Sequence, residues 1–224
     1  MSMVKKKEEK NKLFSFKYFI YDFARWFLGW PIIIWFRLKK IYVSKEAKKH
    51  VKGPLLIVSN HVGMQDPFII HIAYMYRRPR FSIAKEFYKT KFGSWIFKNF
   101  LCFPIDRDNV GFGALNAMGN ELKKGGAVVI FPEGHINLQE NSIDTFKSGV
   151  TLLAYRYNSP IQMIYYQKAK HWWLRTKIVV SEVIDVKSMV GNRPTPDKIK
   201  EVSGILFDKL ATNSAFVRHN NKVF

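Results

Sequence analysis

Five apolar runs constrain this chain more than anything else in it: "GPLLIVS" (53–59), "RFSIAK" (80–85), "AVVIF" (127–131), "PIQMIYY" (160–166) and "TKIVVSEVI" (176–184). Each has the length and composition of a β-strand, and the first reads as a strand buried in a core. Helical patterns lie between them. Pro67 is placed to open a helix, "PFIIHIAYMYRR", that Pro79 stops. "KFGSWIFKNFL" is an apolar helix, and "CFPID" after it is a short extended piece. "GALNAMGNELKKGG" is a helix closed by Gly125-Gly126, and "SIDTFKSGVTLLAYRY" is amphipathic and helical. Thr195 as cap and Pro196 open a last helix, with Ile199, Val202, Ile205, Leu206 and Leu210 on its apolar face. Strands alternating with helices predict an α/β fold, a mostly parallel or mixed sheet flanked by helices. A chain of 224 residues suits one such domain.

In such sheets, sites gather beyond the carboxyl ends of the strands. Asn60-His61 follows one strand directly, and Pro132-Glu133-Gly134 follows another. These two polar spots are predicted to share one edge of the sheet.

The N-terminal part is different in kind. Residues 1–12, "MSMVKKKEEKNK", form a charged, disordered lead-in, and residues 13–50 an apolar helical hairpin. Residues 51–224 then form the α/β domain. Within 13–50, Ser15, Asp22, Arg25 and Gly29 fall on one narrow helical stripe, with aromatic and aliphatic residues around the rest. An apolar arc that wide, carrying Trp26, Trp30 and Trp35, suits a membrane interface better than one-sided burial. The longest charge-free run, Trp26 to Phe36, is short for a membrane span, and Pro31 is expected to break or kink the helix. Arg37, Lys39 and Lys40 follow as cations able to reach headgroups.

Charge points the same way. The chain has 37 Lys+Arg against 17 Asp+Glu, a formal net charge of +20, which calls for an anionic partner. Cys102 is the sole cysteine, so no intramolecular disulfide forms. No nucleic-acid motif, GxSxG elbow, P-loop or HExxH pattern is present, and "GFGALN" lacks the third glycine of a dinucleotide fingerprint. No metal or cofactor is expected. His50, His71, His171 and His219 lack partners at ligand spacing and read as ordinary histidines.

His61 and Asp66, in "SNHVGMQD", admit two readings. Asp before Pro at a helix start suits an N-cap. A carboxylate also suits the second ring nitrogen of a histidine acting as a base. Downstream come "AKEFYKTKFGSW", "FPIDRDN", "FPEGHIN", "FKSG" and "SPIQMI" in order. This ordered series, from about Leu55 to Tyr166, resembles the glycerolipid acyltransferases, the family of lysophosphatidic acid and glycerol-phosphate acyltransferases. The resemblance implies His61 as general base and Asp66 as its orienting partner, Asp66 capping the helix with its other oxygen. It implies Arg107, with Lys85 as a secondary candidate, as cations for the acceptor phosphate. It also implies that Asn60, Glu133 and Gly134 help form the substrate site.

The expected function is acyl transfer from acyl-CoA or acyl carrier protein to the free hydroxyl of lysophosphatidic acid, with no covalent acyl-enzyme. The expected setting is the cytoplasmic face of a membrane, on anionic lipids, with "KAKHWWLR" at the headgroup layer. Departures from the family pattern fall in the acceptor region. Gly63 stands where Ser or Thr is usual, His135-Ile136-Asn137 replaces Thr-Arg-Ser, and Met163 replaces a second Pro. Glycerol 3-phosphate, another lysophospholipid or a glycolipid are therefore alternative acceptors. A non-catalytic membrane-binding relative is a further alternative, and a nucleic-acid binder rests on charge alone.

Overall fold

The structure is a computed structural model and describes residues 18–105, 112–137, 146–167 and 175–219. Seven strands form one sheet: β1 (Lys39–Tyr42), β2 (Leu55–Ser59), β3 (Pro79–Ala84), β4 (Phe103–Ile105), β5 (Ala127–Ile130), β6 (Ile161–Gln167) and β7 (Lys177–Ile184). Their order is β1-β7-β6-β2-β5-β3-β4. All neighbours run parallel except β6 and β7, which are antiparallel. The helices are α1 (Phe19–Phe36), α2 (Asp66–Ala73), α3 (Lys91–Asn99), α4 (Phe112–Lys123), α5 (Gly149–Arg156), α6 (Val186–Val190) and α7 (Pro196–His219).

The central strand β2 shows why the apolar runs do not alternate with polar residues. Leu55 and Ile57 join one core cluster with α2; Leu56 and Val58 join the other, with α4, α5, α6 and α7. All four side chains are fully buried, because helices cover both faces of the sheet. Gly125, at φ +79°, makes the tight turn from α4 into β5, a left-handed conformation that glycine adopts without strain.

Parallel pairing of β2 with β5, in the register Val58 to Ile130, brings both strands to the same edge together. The expected meeting of Asn60-His61 with Pro132-Glu133-Gly134 follows directly. At the opposite edge, Arg77 is buried and donates to the carbonyl oxygens of Val51, Gly53 and Gly125, tying three loops together.

Several expectations are corrected. The helical hairpin of residues 13–50 is, over its described part, one helix and an edge strand. β1 pairs with β7, so the sheet begins before residue 51. Pro31 lies inside α1, which continues to Phe36. α5 begins only at Gly149, with Phe146 to Ser148 outside it. On α7, Ile205 is 37% exposed while Ile199, Val202, Leu206 and Leu210 are buried. The segment 1–12 and most of "KAKHWWLR" lie outside the described residues.

The stripe of α1 is resolved in an unexpected sense. Asp22 is fully buried and takes both a bidentate pair from Arg78 (2.9 and 2.7 Å) and the guanidinium of Arg25 (3.3 Å). The polar stripe therefore faces the domain. The aromatic arc faces outward: Phe23, Phe27, Trp30, Ile34 and Trp35 are all exposed. Among the described residues, no helix is long and apolar enough to cross a membrane.

Candidate active site

His61 lies one residue past the buried Asn60, beyond the end of β2. The Asn60 amide donates to the Tyr166 carbonyl (2.9 Å) and its oxygen accepts from the Tyr166 N–H (2.8 Å). Asn60 thus extends the β2–β6 pairing with its side chain. It is 2% exposed, and the substrate-contact role expected of it does not fit this commitment. Its geometry makes it a positioning residue for the turn that carries His61.

Asp66 is the first residue of α2 and is 1% exposed. Its Oδ2 accepts from the main-chain N–H of Val62 (2.7 Å) and of Gly63 (3.0 Å), and contacts His61 Nδ1 at 2.7 Å. An oxygen already receiving two backbone N–H groups acts as a carboxylate acceptor, so the ring N–H lies on Nδ1 and Nε2 keeps its lone pair. Asp66 does not cap α2, as one of the two readings had it. Its three hydrogen bonds converge on one oxygen, and Oδ1 is buried without a partner. The Gly63 turn closes with Asp66 N–H on the Gly63 carbonyl (3.2 Å).

Glu133 approaches from β5. Its Oε1 accepts from the main-chain N–H of His61 (3.2 Å), and its Oε2 from the Asn137 amide (3.0 Å). Asn137 closes the ring by donating its own N–H to the His61 carbonyl (2.8 Å). Glu133 is 1% exposed, so it clamps the His61 peptide from inside. The sequence pointed to Glu133 as part of the acceptor site and gave no signal for Asn137. Phe131, on the same segment, stacks on the His61 ring at 4.2 Å.

Gly134 has φ +76° and makes the turn after Glu133. His61 and Gly134 both line a cavity of about 390 Å³. The rest of its wall is mostly apolar, from α1, α2, β3 and α3, with Ile32, Phe68, Ile96 and Phe100 among the lining. His71 of α2, read from the sequence as an ordinary histidine, also lines it. Its Nδ1 bonds the Pro67 carbonyl (2.7 Å), and burial pushes its pKa down to about 4, so the ring stays neutral. Cys102 lines the cavity too, with burial holding its thiol up at about 12.

Lys85 is exposed and follows Ala84, a residue of the cavity wall. Arg107 lies outside the described residues. Among the described residues no group of His, Cys, Asp and Glu is arranged to hold a metal ion.

A family model described as Acyltransferase matches residues 40–167, from β1 through β6. A probable 1-acyl-sn-glycerol-3-phosphate acyltransferase of Mycoplasma genitalium is 29% identical over 136 residues. That alignment covers 58% of this chain, which spans about half (50%) of the length of the relative. The crystal structure of the 1-acyl-sn-glycerophosphate (LPA) acyltransferase PlsC from Thermotoga maritima superposes with a TM-score of 0.60 at 15% identity. The match covers 85% of this chain and 76% of that one, and at such identity the likeness concerns the fold alone. Since the matched segment takes in more than half of the chain and includes His61, Asp66 and Glu133, the protein belongs to the acyltransferase family.

Proposed function

We propose that the chain moves a fatty acyl group from acyl-CoA or acyl carrier protein to the free hydroxyl of lysophosphatidic acid, giving phosphatidic acid. The observation that carries this reading is the His61–Asp66 pair on the wall of a large apolar cavity. His61 Nε2 takes the proton of the acceptor hydroxyl as its oxygen attacks the thioester carbonyl. Asp66 holds the required tautomer and stabilises the imidazolium that forms. Collapse of the tetrahedral intermediate breaks the C–S bond, and the departing thiolate takes the proton back from His61. A covalent route through Cys102 is disfavoured, because its thiol is protonated at neutral pH. The cavity, with its apolar wall, accepts the acyl chain.

The exposed aromatic face of α1, with Phe92 and Trp95 of α3, rests on the cytoplasmic face of a membrane, and the basic surface favours anionic lipid. A different lysophospholipid or a glycolipid is the second reading, favoured by Ile136 standing in the loop after Glu133.

The purified chain, labelled acyl-CoA or acyl carrier protein, and a panel of lysolipids test this. Transfer to lysophosphatidic acid is expected, lost by about 10³-fold or more in His61→Ala. Transfer to glycerol 3-phosphate alone would overturn the acceptor. Undiminished transfer by His61→Ala would overturn the base.

A further inference from the structure

The outer side of the turn that clamps His61 carries a cation with no part in the proton transfer. The main-chain N–H of Lys147 donates to the Pro132 carbonyl at 3.4 Å, anchoring it to the base of that turn. Its side chain folds over Gly134. A Cβ built on Gly134 would lie 3.0 Å from Lys147 Nζ and 3.5 Å from its Cε. The missing side chain of Gly134 is therefore the space in which the ammonium sits.

An exposed lysine by itself is a solvated charge of little consequence. Lys147 differs in two respects. It is held at the main chain, and its ammonium lies beside a residue that lines the same cavity as His61. It also has no carboxylate partner among the described residues. Glu133, one residue from Gly134, is turned inward onto His61 and Asn137 and is buried. Glu133, the carboxylate beside Gly134, thus does not neutralise the charge of Lys147.

We propose that Lys147, seated in the gap at Gly134, is a phosphate-binding residue that selects an acceptor with a phosphomonoester headgroup. The proposal rests on the acyl-transfer reading and names the group that recognises the acceptor. An ammonium acts on phosphate as a compact point charge. A dianionic monoester gains about twice what a monoanionic diester gains from the same cation at the same distance.

Lys147→Met and Lys147→Arg test it. The measurements are KM for lysophosphatidic acid, KM for the acyl thioester, and the preference for lysophosphatidic acid over lysophosphatidylglycerol and monoacylglycerol. Lys147→Met is expected to raise KM for lysophosphatidic acid about tenfold or more, leave KM for the thioester unchanged, and narrow the preference over the diester. Lys147→Arg is expected to restore most of the preference. An unchanged KM and an unchanged preference in folded Lys147→Met would overturn the assignment while leaving acyl transfer intact. A second arm does not depend on turnover: protection against thermal unfolding by glycerol 3-phosphate relative to glycerol. Protection of the wild type that disappears in Lys147→Met supports the seat, even if no acceptor is acylated. Equal protection of both proteins overturns it.

Discussion

One oxygen of Asp66 gathers three hydrogen bonds while the other has none, and this asymmetry defines its role. The two backbone donors fix the carboxylate, and the fixed carboxylate then fixes the His61 ring. Asp66→Asn keeps the size but removes the charge that, in the proposed mechanism, stabilises the imidazolium. A fall in kcat of about 10²–10⁴-fold is expected, with circular dichroism showing the fold retained. His71 supports a different prediction. Its folded pKa of about 4 lies below the ordinary histidine value of 6.5, so the unfolded chain takes up a proton in that window before the folded one does. The stability that neutral His71 contributes is fully present above pH 6.5 and is lost as pH falls toward 4, by about 3 kcal/mol in all. His71→Phe should flatten this part of the acid limb in urea titrations; an identical slope would show that His71 does not set it. Residue chemistry was only partly legible in the sequence. His61 and Asp66 stood out because their side chains pair with each other at a recognisable spacing. Asn60, Glu133 and Asn137 act largely through main-chain partners, which a string of side chains does not display.

At the scale of elements, the strands were legible because burial on both faces leaves runs such as Leu55 to Val58 with no polar interruption. α5 was not, since the amphipathic pattern from Ser142 onward does not show where a helix starts. α1 was legible as a helix but not in its orientation. The sequence shows a polar stripe in an apolar field; only the position of Arg78 at the start of β3 shows that the stripe is the buried side. Asp22 is the point at which α1 is fastened to the domain. Asp22→Ala removes the buried carboxylate that both Arg25 and Arg78 pair with, and a loss of about 3–5 kcal/mol is expected in urea unfolding. Combining Asp22→Leu with Arg25→Leu and Arg78→Met removes the charge from both sides of the contact and should recover much of that loss. If Asp22→Ala unfolds at the same urea concentration as wild type, the helix is held by its packing on α2 instead.

At the scale of the molecule, the proposed lipid surface would meet outward aromatic residues and net charge through different physics. Trp30, Ile34 and Trp35 on α1, and Phe92 and Trp95 on α3, are exposed on the two helices that help wall the cavity. Burying them in an interface depends on apolar area and is insensitive to salt. The excess of Lys and Arg instead senses the surface potential of anionic lipid, at about 1 kcal/mol per residue close to the surface, and is screened by salt. The Debye length falls from about 10 Å at 0.1 M to about 3 Å at 1 M, so the two contributions separate in a vesicle flotation assay. Binding should strengthen when phosphatidylglycerol is added to phosphatidylcholine vesicles, and the added part should vanish at high salt. Replacing Trp30 and Trp35 with Ser should weaken binding at every salt concentration, because it removes apolar area and no charge. Equal binding of the double variant and the wild type at high salt would mean that the outward face of α1 does not enter the lipid. Tryptophan fluorescence quenched by brominated lipid should then fail as well, and the cavity would have to take its acyl chain from solution.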